Sequence, residues 1–242
     1  MKRFFIFLIF LSPCSFYIFK VNFRKVDKLI EEKKYEEAIK VLKNFEKRRK
    51  RDLCVKLKLA EVYWKMGIYD EAKKRYFEIL KYKELPLCRK RLSYIYEKEG
   101  LYDRARKNLE IYLKNEKDKK EYLHLSILYE KIGFYDEAIK LLKKFKDLVS
   151  EEEYIERIFF LLVKQNKIEE AYEFVKEKDN NLLKGYGIIL LGRYDEAKEF
   201  LRKDNSRVSK FLLLLIGKIK GEKYSINIQP ENEFERKLLD YF

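Results

Sequence analysis

Gly67-Ile68-Tyr69-Asp70-Glu71-Ala72 is a phrase that this chain repeats. It returns as Gly100-Leu101-Tyr102-Asp103-Arg104-Ala105, as Gly133-Phe134-Tyr135-Asp136-Glu137-Ala138 and as Gly192-Arg193-Tyr194-Asp195-Glu196-Ala197. Weaker versions are Tyr35-Glu36-Glu37-Ala38 and Ile168-Glu169-Glu170-Ala171. The six alanines lie 34, 33, 33, 33 and 26 residues apart. A fixed period of this length marks an array of stacked supersecondary units, none of which can bury its apolar face alone.

Each phrase reads as the turn of a helical hairpin. Glycine suits the left-handed residue that closes a helix, because no Cβ is present to clash there. Gly67, Gly100, Gly133 and Gly192 fill that slot, and Asn166 fills it in the fifth copy. Two residues before each alanine stands an acid: Glu36, Asp70, Asp103, Asp136, Glu169 or Asp195. A carboxylate in a first turn meets the positive end of the helix dipole, a gain of roughly 0.3–1 kcal/mol. The alanine lets two helices approach closely, and four residues on comes Leu42, Tyr76, Leu109, Leu142, Val175 or Leu201 on the same face. The preceding helix repeats too. Leu29, Tyr63, Tyr96, Tyr129, Leu162 and Ile188 lie nine residues before the alanines, and Val26, Ala60, Ser93, Ser126, Phe159 and Gly185 lie twelve before. A bulky and, in most copies, a small residue thus share one helical stripe.

From Tyr35 to Leu201 this pattern closely resembles the tetratricopeptide repeat family. The resemblance implies an all-α chain, a right-handed α-solenoid of about six helix-turn-helix repeats. It also implies a non-catalytic protein–protein interaction module, an adaptor or assembly scaffold whose first helices line a concave groove for a peptide or helix. Helical phase places Leu57, Glu61, Trp64, Lys90, Arg91, Tyr94, Glu97, Leu123, His124 and Ile127 on that groove. Trp64, the only tryptophan, is either an interface anchor or core. The Lys/Asn/Asn/Lys/Arg set with which chaperone-binding relatives clamp a C-terminal carboxylate is not reproduced. Lys90 and Arg91 fit it, but the asparagines are missing, which argues against that class of partner.

Over 242 residues, charged side chains make up 40% and aromatics 16%, with a net charge of +15. Lys/Glu enrichment with few thermolabile residues is the composition of proteins from hot environments, and an AT-rich genome biases codons the same way. The charge is uneven: residues 20–60 carry +8 and residues 151–200 carry −4. The peak is Lys47-Arg48-Arg49-Lys50-Arg51, where the second helix of the first copy ends. Three readings of this run stay open. It is a solvated helix end suited to the dipole, a contact for anionic lipid headgroups, or one for an acidic partner. Nucleic-acid binding by the same segment is the alternative from another class, and it predicts affinity falling steeply with salt. The mixed Lys/Glu pattern elsewhere counts against it.

Residues 1–19 begin Met-Lys-Arg and then run apolar from Phe4 to Phe19 with no charge before Lys20. A basic start followed by such a stretch resembles a bacterial export signal. One reading is an uncleaved signal anchor, a little short of the ~20 residues that comfortably span a bilayer. A second is a lipoprotein signal, since Leu11-Ser12-Pro13-Cys14 looks like a lipobox with Cys14 as the lipidated residue, although Pro13 departs from it. A third is a buried helix capping the array. Membrane association through the N-terminus follows from the first two, at the cell envelope facing outside the cytoplasm. The cations on both flanks leave a cytoplasmic placement as the alternative.

The expected organisation is therefore an anchor at 1–19, a repeat array at 20–204 and capping helices at 205–242. Polar connectors such as Lys114–Lys120 separate the copies. Ser150-Glu151-Glu152-Glu153 is a serine cap with acid three residues on, and the spacing of 26 shortens the helices around Asp179-Asn180-Asn181. Asn205-Ser206 caps a further helix over Val208–Lys220, a seventh first-helix, and a loop with Pro230 and a short helix at Phe234–Tyr241 follow. Catalytic chemistry is nearly absent. His124 is the single histidine, so paired histidine ligands are excluded, and Gly217–Lys223 does not keep the spacing of a phosphate loop. No metal, cofactor or small-molecule substrate is expected. Cys54 and Cys88 are either independent thiols or, if the chain is exported, a disulfide between neighbouring first helices. Their repeat phase differs by one residue.

Overall fold

The computed structural model describes residues 23–222. The N-terminal apolar run with Cys14, the Pro230 loop and the expected helix at 234–241 lie outside the described residues. Within them the chain is helical throughout. Six hairpins follow one another: α1 (Arg24–Glu31) with α2 (Tyr35–Arg48), α3 (Leu53–Lys65) with α4 (Tyr69–Leu80), α5 (Pro86–Lys98) with α6 (Tyr102–Asn115), α7 (Lys119–Lys131) with α8 (Tyr135–Lys144), α9 (Glu151–Lys164) with α10 (Ile168–Lys176), and α11 (Asn181–Leu190) with α12 (Tyr194–Leu201). A thirteenth helix, α13 (Arg207–Ile219), packs on α11 and α12. By contacts the chain divides into two compact units at Asp118/Lys119, inside the predicted polar connector.

The hairpin turns form as the phrase dictates. At Gly67 the backbone amide donates to the Trp64 carbonyl at 3.1 Å, and the Ile68 amide donates back to the Tyr63 carbonyl at 2.9 Å. These paired bonds satisfy the carbonyls that a helix end leaves open. The same pair recurs at Gly100, Gly133, Asn166 and Gly192, all with left-handed φ. Lys33 fills the slot in the first copy, at φ 59°, where the sequence shows no glycine or asparagine. Gly221 closes α13 in the same way. The residue after the turn packs back on the helix it has left, as Phe134 does edge-on to Tyr129 at 6.3 Å.

All six repeat alanines are fully buried, as are Leu42, Tyr76, Leu109, Leu142, Val175 and Leu201 one turn on. Caps fix the starts of several first helices. Asp52 accepts from the Cys54 and Val55 amides, Ser150 from Glu153, Asn180 from Leu183 and Ser206 from Ser209. Cys54 and Cys88 form no disulfide; each remains a thiol, Cys88 buried. In the second unit the short hairpin α11–α12 closes tightly. A Cβ at Gly185 would lie 2.6 Å from Leu201 Cδ2, so any larger residue there would have to displace the Leu201 side chain. Lys198, 7% exposed, reaches from α12 to Glu222 beyond α13, with Nζ donating at 2.6 and 2.8 Å.

Candidate functional site

The first helices carry a polar and aromatic face, and its registry comes from the repeat. The position eleven residues before each alanine is Asp27, Glu61, Tyr94, Ile127, Phe160 and Tyr186. Three residues earlier on the same helix stand Lys58, Arg91, His124, Arg157 and Leu183. In the first unit the two positions pair between successive copies. Lys58 donates to Asp27 at 2.5 Å, and Arg91 donates to Glu61 through Nε at 3.0 Å and Nη2 at 2.8 Å.

Around Glu61 the predicted residues come together. The Arg91 guanidinium lies over the Trp64 ring, 3.8 Å from its centre, a stacked cation–π contact. The carboxylate that holds it also accepts from the buried Tyr76 hydroxyl at 2.5 Å. Burial works against the Arg91 cation, but the hydrogen bond and charge of Glu61 outweigh it and raise its pKa further. Burial, with Glu61 adding to it, pushes the Tyr76 phenol up and keeps it a donor. Glu61, Trp64 and Arg91 thus form one pre-organised, partly exposed plate. Tyr94 lies one turn further along α5, close enough to act on the charge of Arg91.

The other predicted residues separate from this plate. Leu57 is buried at 6% exposure and offers the least surface of the set. Lys90 turns away to donate to Asp118 at 3.1 Å over the Tyr112 ring, and Asp118 also accepts from the Tyr112 hydroxyl at 3.2 Å. Glu97 is half-buried in the last turn of α5. Leu123, His124 and Ile127 belong to the second unit. Leu123 packs against that unit's core, His124 Nδ1 lies 3.3 Å from the buried Glu121 carboxylate, and Ile127 is exposed.

Two features escape a reading by phase alone. Tyr76 looked like a core residue of the second helix, and only packing reveals its bond to Glu61. In the second unit the same register continues as Phe160, exposed, and Tyr186, whose rings lie 6.1 Å apart. Extending the phase into copies five and six would have found them. Here Arg157 has no acid partner at the preceding position, which is Ile127, and donates instead to the Ser126 hydroxyl at 3.0 Å. Among the described residues no three His, Cys, Asp or Glu side chains converge as a metal site.

The basic run ends α2 and forms the α2–α3 loop. Lys47, Arg48, Arg49, Lys50 and Arg51 are all exposed and, with Asp52, line an open depression. Arg49 approaches Asp52 at 3.8 Å.

Residues 29–87 match the family model described as tetratricopeptide repeat. The fold is similar to that of the C-terminal part of a TPR repeat-containing protein from Cytophaga hutchinsonii, at 16% identity and TM-score 0.54 over 82% of this chain and 80% of that one. It is also similar to MamA 41-end from Desulfovibrio magneticus RS-1, at 19% identity and TM-score 0.52 over 75% and 94%. A third similar structure is YrrB, a TPR protein with an unusual peptide-binding site, at 15% identity and TM-score 0.53 over 74% and 97%. No curated protein sequence matches the chain. At these identities the likeness establishes the fold, an all-α solenoid of helix-turn-helix repeats.

Proposed function

We propose that this chain is a non-catalytic protein–protein interaction module, an adaptor or scaffold that receives a peptide or helix on the first-helix face of its N-terminal unit. One observation carries the reading: the Glu61–Arg91–Trp64 plate with Tyr94 beside it. Arginine, tryptophan and tyrosine supply most of the energy at protein interfaces. Here Arg91 is already held flat, so binding need not spend the rotamer entropy of ordering it. The peptide site named for YrrB is in keeping with this use of the fold.

Selection of a displayed random-peptide library on the purified chain tests the reading. Enriched peptides should keep their affinity in high salt and lose at least tenfold on Trp64→Ala or Tyr94→Ala. Enrichment of nothing, or only of peptides indifferent to both substitutions, would refute it.

The apolar run Phe4–Phe19 adds a membrane tether to the proposal, with the repeats on the outer side of the cell envelope. Among the described residues no helix is long and apolar enough to cross a membrane. Fractionation of the chain and a Cys14→Ala version, with the mass of the mature N-terminus, tests this. A lipid-modified mass beginning at Cys14 supports a lipoprotein, and an intact Met1 in the membrane fraction supports a signal anchor. A wholly soluble chain would refute the tether.

A further inference from the structure

We propose that the end of the N-terminal unit formed by the α2–α3 and α4–α5 loops is a docking surface for the anionic face of a phospholipid bilayer. Helix position brings the two loops to one end. Lys56, in the first turn of α3, meets Glu46 in the last turn of α2 at 3.6 Å and Glu78 in the last turn of α4 at 2.8 Å. Arg75 of α4 closes the network by donating to Glu46. So α2 and α4 end side by side, and the chain leaves both in the same direction.

That network also explains why the end is so basic. The two acids nearest the run are already engaged and leave most of its charge unneutralised. Glu46 is engaged by Lys56 and Arg75, and Asp52 caps α3 while drawing in Arg49. Lys47, Arg48, Lys50 and Arg51 are left exposed, with no ion-pair partner among the described residues. On the neighbouring loop Lys81 is likewise exposed and unpaired among the described residues, beside Tyr82 at 71% exposure. The α4–α5 loop holds one acid, Glu84, which Arg89 engages through Nε at 2.7 Å and Nη2 at 2.9 Å. Acids also stand in the later connections, among them Glu116 and Asp118, Glu177 and Asp179, and Asp204.

Two arguments favour a bilayer over nucleic acid. The patch is compact and not a stripe along which a phosphate backbone could run. An exposed tyrosine among cations is the pairing suited to the headgroup layer, where the ring is buried and the hydroxyl stays wet. The sequence also places the patch one hairpin after the apolar run Phe4–Phe19. A chain held at a bilayer by that run carries these cations close to its surface, where each strengthens attachment by attraction to anionic lipid.

Vesicle flotation of the full chain tests the inference against a variant carrying Lys47→Gln, Arg48→Gln, Lys50→Gln and Arg51→Gln. Neutral phosphatidylcholine vesicles report the apolar N-terminus, and the increment on adding phosphatidylserine reports the patch. Failure of the tether is therefore visible separately. A cation near an anionic surface raises partitioning about fivefold, so the increment should fall more than tenfold in the variant, with its circular dichroism unchanged. Lys164→Gln, which removes a cation paired to Glu130 in the other unit, should leave the increment intact. An unchanged increment in the fourfold variant, or an equal loss in Lys164→Gln, would overturn the proposal. So would wild-type binding to a DNA duplex tighter than to anionic vesicles at the same salt, which would assign the patch to nucleic acid.

Discussion

Arg91→Ala probes the plate on which the functional reading stands. The substitution removes two charge-assisted hydrogen bonds to Glu61 and the stack on Trp64. Both partners are largely covered, the Arg91 side chain being 21% exposed and that of Glu61 19%. Hydrogen bonds to charged groups contribute about 1.5–3 kcal/mol, and a partly desolvated cation–π contact about 1 kcal/mol. Glu61 keeps one donor, the Tyr76 hydroxyl, so it is not wholly stranded. The expected loss is about 3 kcal/mol. Glu61→Ala should cost a similar amount, because it orphans the Tyr76 hydroxyl and leaves Arg91 unpaired. The double variant should lose clearly less than the sum, with a coupling of about 2 kcal/mol. Urea unfolding followed by far-ultraviolet circular dichroism measures all four corners without using Trp64 as the reporter. Additivity within about 0.5 kcal/mol would refute the idea that Glu61 and Arg91 act as one unit.

Other expectations use the same unfolding assay. Gly133→Ala should cost about 1–2 kcal/mol from left-handed backbone strain alone, since φ is 81° and nothing lies within 4 Å of the added Cβ. Gly185→Ala should cost about 1–3 kcal/mol by the opposite route, the new methyl meeting Leu201 in a helix whose backbone tolerates it. Asp52→Ala removes the cap of α3 and should cost about 1 kcal/mol. Burial raises the Glu78 carboxyl, but the hydrogen bond and charge of Lys56, with Arg75, outweigh it and hold its pKa below the ordinary 4.5. A depressed carboxylate contributes stability that is complete above its unfolded value and lost as pH falls through the folded one. Glu78→Gln should therefore be less stable than wild type at neutral pH, and the gap should close as the pH falls below 4.5; a gap constant across that range would contradict the ion pairing.

What the sequence determined by itself is the architecture. The turn glycines, the first-turn acids and the buried alanines act within five or six residues of one another. Their effects are local backbone and helix-end physics that repeat wherever the phrase repeats. The closing of α13 at Gly221 and the serine caps at Ser150 and Ser206 follow from the same rules. Even Lys33, which the sequence did not mark, takes the left-handed slot, and the Lys33 and Lys34 amides make the same pair of bonds back to Ile30 and Leu29. The site was legible only as a set of candidates on one helical face. Which candidates meet was decided by the tertiary structure, because a side chain on one first helix finds its partner about thirty residues away on the next. Arg91 reaches Glu61, while its neighbour Lys90, one residue and about 100° around the helix, reaches Asp118 instead. The basic run shows the same division. Its five cations are plain in the sequence, but only packing commits Glu46 to Lys56 and Arg75 and leaves most of the charge of the loop facing solvent. Ion pairs depend on a few ångströms of separation across helices, and no local pattern encodes that separation.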